Sequence, residues 1–225
     1  MGLILSIDTG TEEAGICLAR DEHTLGLLKN DDQKDHASWL HVAIKQLMEN
    51  TGFSLQELNA VACSAGPGSY TGLRVGMAAA KGLCYALKIP LLTENTLKIM
   101  ALAALEQTFK KPDYFICPMI DARRMEVFTG LYDLELNEIL PSSALVLDSQ
   151  SFEIQLNQKP VLFLGSGVVK WQLICTHPNA FYIKPPFLAP HLALLAHQKF
   201  RAKQFSEIPW TEPLYLKEFY THKKK

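Results

Sequence analysis

Short apolar runs separated by turn residues open the chain and predict a meander of strands. Leu3–Ile7 is apolar and ends at the polar turn Asp8–Thr11. Ala14–Ala19 and Thr24–Leu28 follow, and only Arg20–His23 separates them. Runs of this length with tight polar connections are typical of antiparallel strands.

Helical and strand patterns then alternate. In "HASWLHVAIKQLMEN" the apolar positions fall on one helical face, which predicts an amphipathic helix. The face comprises Leu40, Ala43, Ile44, Leu47 and Met48. Further along we predict a buried strand at Asn59–Cys63, a helix at Thr71–Leu87, a strand at Pro90–Leu92 and a helix at Asn95–Glu106.

The pattern restarts in the second half of the chain. Strands are predicted at Tyr114–Ile120, Met125–Tyr132 and Val161–Leu164, and a helix at Pro190–Phe200. The polar segment Phe109–Asp113 marks the predicted seam. A second series of strands and helices favours two similar α/β lobes.

Composition excludes several classes of protein. The 225 residues are 48% hydrophobic and 20% charged, and the formal net charge is -1, so no overall basic field indicates nucleic-acid binding. Five cysteines without a Cys-x-x-Cys pair favour reduced thiols in a cytoplasmic protein. The apolar start is too short for a secretory leader, and no run is long enough to span a membrane. The basic run His222–Lys225 is interpreted as a solvated tail.

Three features could contact a phosphate. A carboxylate with hydroxyls in a turn, as at Asp8–Thr11, can hold a metal-bound phosphate or simply cap the turn. Asp121 ends the corresponding strand of the second half, and "FLGSGVVK" supplies Gly165 and Gly167, where glycine permits close approach of a ligand. Each feature is weak alone, but their order resembles the actin, hexokinase and Hsp70 superfold.

The stretch "SAGPGSYTGLRVGMAAAKGL" is neither a G-x-G-x-x-G fingerprint nor a Walker A loop. Its Gly72, Gly76, Ala79 and Ala80 fall on one face of a helix. Because each interior glycine costs about 1 kcal/mol relative to alanine, we expect another backbone to approach this face closely. That backbone belongs either to the same chain or to another subunit, and the pattern does not distinguish them.

Taken together, these segments resemble the bacterial TsaB (YeaZ) family. The resemblance rests on "ILSIDTGT", "DHASWL", "AGPGSYTGLRVGMAAAKGL", "PMIDARRMEVF", "FLGSGVVKW" and "EPLYLK", which run from Ile4 to Lys217. It implies an α/β, two-lobed actin-like (ASKHA) fold with two RNase H-like lobes, whose mixed sheets are flanked by helices. The expected lobes are residues 1–108, which carry the partner-binding helices, and a smaller lobe at 109–225. The sequence leaves open whether the last segment, from about Phe205, packs back on the first lobe.

The resemblance also implies a function without catalysis by this chain. TsaB-like proteins serve as the dimerisation subunit for a catalytic TsaD-type paralogue, which makes N6-threonylcarbamoyladenosine (t6A) at position 37 of tRNA. A TsaE-type ATPase joins this heterodimer, a lone TsaB-like chain forms a homodimer, and tRNA is reached only through the complex. No cofactor and no membrane are required.

The resemblance implies no catalytic residue and no metal site. His36 matches the first ligand of the paralogue's His-x-x-x-His pair, but Leu40 occupies the second position. A remnant of a nucleotide cleft is expected at Asp8, Thr9, Gly10, Thr11, Asp121, Gly165 and Gly167, and the residues leave open whether it still binds ATP or ADP weakly.

The expected partner interface lies on two helices. It comprises Trp39, Leu40, Gly72, Leu73, Val75, Gly76, Met77, Ala79, Ala80 and Leu83. Two alternative functions compete with this hypothesis. An actin-fold ATPase or phosphotransferase would use Asp8 to position Mg²⁺ and Asp121 as base, and a metallopeptidase would need the histidine that Leu40 replaces.

Overall fold

The structure is a computed structural model that describes residues 2–31, 36–107, 112–184 and 187–217, without the side chain of His36. The predicted seam at Phe109–Asp113 therefore falls mostly outside the described residues, and the basic run His222–Lys225 falls wholly outside them. The predicted division near residue 108 stays a prediction.

The first sheet combines an antiparallel meander with two parallel strands. Its strands are β1 (Leu3–Asp8), β2 (Ala14–Arg20), β3 (His23–Asn30), β4 (Ala60–Ser64) and β5 (Leu91–Glu94). They lie in the order β3-β2-β1-β4-β5, with β4 parallel to β1 and β5 parallel to β4. The predicted meander is confirmed, since β1, β2 and β3 pair antiparallel in sequence.

The second sheet repeats this arrangement. Its strands are β6 (Phe115–Asp121), β7 (Glu126–Tyr132), β8 (Glu138–Val146), β9 (Val161–Leu164) and β10 (Ala180–Ile183), in the order β10-β9-β6-β7-β8. Here too the first three strands are antiparallel and the last two are parallel to the central strand. Two mixed sheets of identical topology confirm the fold class predicted from the sequence.

Helices form layers on both faces of the sheets. They are α1 (His36–Thr51), α2 (Tyr70–Leu87), α3 (Thr96–Leu105), α4 (Glu153–Gln158), α5 (Val168–Gln172) and α6 (Ala189–Arg201), with a 3₁₀ turn at Leu55–Glu57. α1 and α2 cover the outer face of the first sheet. α3 and α6 lie between the two sheets, and α4 and α5 pack on the far face of the second sheet.

The alternation along β1 explains this layering. Leu3, Leu5 and Ile7 point to the core under α1 and α2, whereas Ile4 points to the core shared with α3 and α6. A strand buried on both faces in this way belongs at the centre of a sheet. β1 lies at the centre of its sheet, with β2 paired to one edge and β4 to the other.

The last described part of the chain, which we call the C-terminal segment (residues 205–217), runs back over the first sheet. The backbone N–H of Leu214 donates to the carbonyl oxygen of Ala65 at 2.6 Å. Three residues later, Lys217 forms an ion pair with Glu126 at the start of β7. The segment therefore touches both sheets. Among the described residues, no helix is long and apolar enough to cross a membrane.

Candidate functional site

The turns after β1 and β6 face each other across a cleft between the two sheets. A cavity of about 760 Å³ is lined by Gly10, Thr11, Asp121 and Ser166, among others. A second cavity of about 240 Å³ shares Thr11 and Ser166 with it and reaches Gly165. Of the residues predicted for a nucleotide cleft, the structure therefore brings together Gly10, Thr11, Asp121 and Gly165.

Asp8 and Thr9 do not line this cleft, which corrects the prediction for both. Asp8 is only 2% exposed, its Oδ1 accepts the backbone N–H of Gly10 at 3.2 Å, and burial raises the pKa of its carboxyl. The hydroxyl of Thr9 donates to the carbonyl oxygen of Gly72 at 2.7 Å. Both side chains stabilise the turn after β1 and its contact with α2, and they lie behind the residues that line the cleft.

Asp121 lies at the cleft, but its carboxylate already forms an ion pair with a lysine side chain. Its Oδ1 is 2.9 Å from the Nζ of Lys170 and also accepts the backbone N–H of Arg123. Partial burial opposes ionisation, but these hydrogen bonds outweigh it and lower the pKa of Asp121. A carboxylate held ionised in an ion pair is a poor general base.

The two late glycines are explained by packing within the chain. Gly165 has a φ of +106°, and a Cβ there would lie 2.2 Å from the carbonyl oxygen of Met119. Gly167 donates its N–H to the same oxygen at 3.0 Å and does not line either cavity. The close approach predicted for a ligand at Gly167 is instead the approach of β6.

The larger cavity carries charges of both signs. Its walls hold the carboxylates of Glu12 and Asp121 and the side chain of Arg123, while Asp8 is withdrawn from the cavity. Nucleotide binding at this cleft stays a prediction. Across the described ranges, no group of three His, Cys, Asp or Glu side chains is placed to hold a metal ion.

The inner face of α2 packs against the chain itself. A Cβ at Gly72 would lie 2.0 Å from the carbonyl oxygen of Thr9, and one at Gly76 would lie 2.3 Å from the Thr9 hydroxyl. Of the two explanations that the glycine spacing left open, the structure therefore supports packing within the chain. The turn after β1 is the backbone that approaches these glycines.

Most of the predicted partner interface is consequently core, and the prediction for those positions is corrected. The buried members are Leu40, Gly72, Leu73, Gly76, Met77, Ala79 and Ala80. Trp39, Val75 and Leu83 are half-buried at the edge of the core that α1 and α2 share. A partner cannot reach the buried positions without unfolding the first lobe.

The opposite sides of the same two helices are exposed. Val42 on α1 is 67% exposed, and Ala78, Gly82 and Tyr85 are exposed on α2. Apart from its chain neighbours and the backbone of its own helix, no heavy atom of the described residues lies within 4 Å of a Cβ built at Gly82. We call these four residues the outer face. Helical phase could have found it, since positions 78, 82 and 85 lie opposite the buried Leu73, Met77 and Ala80.

The fold defines the class of protein. Two RNase H-like sheets of identical strand order on either side of a cleft make an actin-like (ASKHA) protein. Component A of (R)-2-hydroxyglutaryl-CoA dehydratase from Acidaminococcus fermentans superimposes with a TM-score of 0.50 at 10% identity, over 88% of this chain and 99% of that one.

Within this class, the chain belongs to the TsaB (YeaZ) family. Residues 23–175 match the profile of the TsaD family, tRNA N6-adenosine threonylcarbamoyltransferase. The chain is 34% identical over 165 residues to the Bacillus subtilis tRNA threonylcarbamoyladenosine biosynthesis protein TsaB, covering 72% of this chain and 70% of that protein. YeaZ from Pseudomonas aeruginosa superimposes with a TM-score of 0.81 at 26% identity, over 96% of this chain and 100% of that one. Alignments with four further TsaB proteins span 51% to 60% of their length.

Proposed function

We propose that this chain is the non-catalytic pairing subunit for a TsaD-type threonylcarbamoyltransferase in t6A synthesis on tRNA. The observation that carries the proposal is the outer face of α1 and α2, where apolar and small side chains are exposed on both helices. Membership of the TsaB family supports the pathway, because TsaB relatives are named for threonylcarbamoyladenosine biosynthesis.

Gly82 is the most informative residue of the outer face. Unlike Gly72 and Gly76, it has no neighbour in the part of the chain that the structure describes that would exclude a side chain. A glycine in an exposed helix interior costs about 1 kcal/mol relative to alanine, so it implies a close approach that the isolated chain does not provide. A helix of a partner subunit packing across Ala78 and Gly82 provides it.

The cleft supports the non-catalytic part of the proposal. Asp8 is buried beneath the wall, and Asp121 is paired with Lys170. The carboxylates that an independent phosphotransferase would need are therefore both committed to the fold. The TsaD-type paralogue would supply the catalytic groups, a TsaE-type ATPase would join the pair, and with a net charge of -1 this chain would leave most tRNA contacts to its partners.

The experiment mixes the chain with the TsaD-type protein of the same organism and measures mass by size-exclusion chromatography with light scattering. The wild type should give a one-to-one heterodimer. Gly82→Glu and Val42→Glu should each weaken pairing by at least about a hundredfold, because an unpaired charge buried in an interface is strongly unfavourable. In the absence of the paralogue, we expect a homodimer through the same face and the same loss in both variants.

Two control variants keep the test specific. Ile154→Glu places the same charge on α4, where Ile154 is 70% exposed, much like Val42 at 67%, and should pair normally. Gly82→Ala adds only a methyl group and should still pair, although less tightly. Pairing of Gly82→Glu at wild-type strength would refute the assignment of the interface, and no complex with the wild type would refute the pairing function.

A further inference from the structure

The outer face by itself is too small for a stable interface. It has four residues, whereas a stable protein–protein interface takes about 20–30 residues from each side. A subunit that packs on it must therefore also cover neighbouring surface. One neighbour is a shallow cavity of about 590 Å³ between the last turn of α2 and the C-terminal segment. It shares no lining residue with the two cavities of the cleft between the sheets.

Apolar side chains line this cavity. They come from Tyr85 and Ala86 of α2 and from Ile208 of the C-terminal segment. Tyr85 is 81% exposed and also belongs to the outer face, so the two surfaces are continuous. Gly82 and Tyr85 are three residues apart on α2, which corresponds to a rise of about 4.5 Å. A partner helix that packs across Gly82 and runs along α2 therefore reaches the cavity within one turn.

The C-terminal segment presents Trp210 beside α2. Its backbone N–H donates to the carbonyl oxygen of Glu207 at 3.1 Å, and Thr211 donates to the same oxygen through its N–H and its hydroxyl. Lys81 of α2 closes this turn, since its Nζ donates to the carbonyl oxygens of Pro209 at 3.4 Å and Thr211 at 3.1 Å. The backbone of Trp210 is therefore fixed against α2, yet the residue is 79% exposed.

Two large exposed aromatic residues beside an apolar cavity are typical of a protein-binding surface. Tryptophan and tyrosine are enriched among the residues that carry most of the binding energy in interfaces. A backbone that is ordered before binding loses less conformational entropy when the partner arrives. We call this patch the α2-end surface, and it comprises Tyr85, Ala86, Lys88, Ile208 and Trp210.

Lys88 gives the α2-end surface a positive charge. It follows the last residue of α2 with a φ of 56°, lines the cavity and is exposed. In the part of the chain that the structure describes, its ammonium forms no ion pair. The nearby Lys81 is already committed to the turn that holds Trp210. A carboxylate on the partner is therefore the group that complements Lys88.

From these observations we propose that the TsaD-type subunit that pairs with the outer face also covers the α2-end surface. Its apolar side chains enclose Trp210 and enter the cavity, and one of its carboxylates pairs with Lys88. This inference rests on the proposed pairing function. It adds that the partner contacts the C-terminal segment as well as the two helices, and that Trp210 is a main contact.

The test measures the dissociation constant of the full-length chain and the TsaD-type protein by isothermal titration calorimetry. Trp210→Ser should weaken pairing at least about tenfold, because it removes a ring that the partner encloses. Trp210→Phe keeps an aromatic ring and should retain most of the affinity. The matched control is Leu173→Ser, since Leu173 follows α5 on the far side of the second sheet and is 80% exposed. Its affinity should equal that of the wild type.

A second pair of variants tests the charge. Lys88→Asn should weaken pairing about twofold to fivefold, which is the size of an exposed ion pair. Lys203→Asn should have no effect, although Lys203 is also exposed and has a nearly equal φ of 55°. Asparagine tolerates a positive φ, so neither backbone is strained. Raising the salt concentration should weaken the wild type more than Lys88→Asn, because salt screens the ion pair. Thermal unfolding confirms that each variant is folded.

Hydrogen exchange of the wild-type complex supplies an independent readout. Amide exchange at residues 208–211 should slow when the partner is added, whereas exchange at α5 should not change. Wild-type affinity in Trp210→Ser, or unchanged exchange at residues 208–211, would overturn this inference and leave the pairing function standing. Equal losses in Trp210→Ser and Leu173→Ser would also overturn it, because they would indicate non-specific apolar adhesion.

The remaining outcomes concern the identity of the partner. If Trp210→Ser weakens only the homodimer of this chain, a second copy covers the α2-end surface, and the assignment to the TsaD-type subunit is wrong. If the wild type does not bind the TsaD-type protein at all, the pairing function fails together with this inference. Failure of the pairing function is thus distinguished from failure of the inference by the wild-type titration alone.

Discussion

At the scale of single residues, the carboxylate of Asp8 is the clearest departure from the sequence-based expectation. The pattern after β1 correctly predicted a turn, and it offered two roles for Asp8, holding a phosphate or capping the turn. The structure shows the second, with the carboxyl buried on the Gly10 N–H. Sequence could not decide between them, because both roles need the same oxygen at the same position.

The burial of the Asp8 carboxyl predicts how the variant Asp8→Asn changes the stability of the chain. The folded-state pKa of Asp8 is raised above its ordinary value of about 3.9. At pH values between the unfolded-state and folded-state pKa, the folded chain holds a proton that the unfolded chain releases. Stability therefore falls as the pH rises through this interval. Asparagine is free of this penalty. At pH 7 the variant should melt at a higher temperature, by about 2–4 °C for each kcal/mol relieved.

The pH dependence provides the check on this expectation. Below about pH 4, where the wild-type carboxyl is protonated in both states, the difference in melting temperature between Asp8→Asn and the wild type should shrink towards zero. A variant that is less stable than the wild type at pH 7 would contradict this account. It would mean that the ionised carboxylate is held by donors stronger than the Gly10 N–H.

At the scale of elements, α2 shows how far a helical pattern can be taken. Its position and length were predicted almost to the residue, as were α1 and the central strands, because strong apolar periodicity fixes the element. What packs against its glycine face was not predicted, because Gly72 and Gly76 have the same spacing whether they contact Thr9 or a second subunit. Only the tertiary structure distinguishes those neighbours.

A pair of alanine substitutions separates the two sides of α2. Gly76→Ala should destabilise the chain by about 1–3 kcal/mol, because its Cβ would lie 2.3 Å from the Thr9 hydroxyl. Gly82→Ala should stabilise the monomer by about 1 kcal/mol, since no described residue opposes its methyl group. Urea unfolding of both variants at one pH measures the difference. If Gly76→Ala were more stable than the wild type, the turn after β1 would have to move at little cost to accommodate the added methyl group.

The elements that the sequence did not reveal are β8, β10 and α4. β8 and β10 form the two edges of the second sheet and are only half-buried, so their apolar pattern is weak. β8 also contains Pro141, which argues against a strand but is tolerated at an edge. α4 spans only six residues, too few for a helical period to appear.

At the scale of the whole molecule, α6 and the C-terminal segment pack against the first sheet. α6 packs on β1 and β2, where Ala189 and Ala193 meet Cys17 and Ala19. The C-terminal segment then covers the free edge of the first sheet. The backbone N–H of Ser206 donates to the carbonyl oxygen of Leu91 at 2.8 Å. An edge strand covered in this way is protected from pairing with other chains.

Truncation after Gln204 tests this closure. It removes at least two backbone hydrogen bonds to the first sheet, each contributing about 0.5–1.5 kcal/mol. We expect a lower melting temperature and faster amide hydrogen exchange at β5 (Leu91–Glu94). Exchange at β9 (Val161–Leu164), which the segment does not touch, should be unchanged and serves as the internal control. Unchanged exchange at β5 would show that the edge does not depend on the segment.

The return of α6 to the first sheet also sets an order of events during protein synthesis. Every strand of that sheet has left the ribosome long before Ala189 is made, yet the face of β2 that meets Ala189 and Ala193 waits for the helix. At a synthesis rate of about 5–20 residues per second, the interval between the end of β2 at Arg20 and Ala189 is roughly 8–34 seconds. During that interval one apolar face of the nascent first sheet is uncovered, and we expect the chain to bind chaperones that act at the ribosome exit.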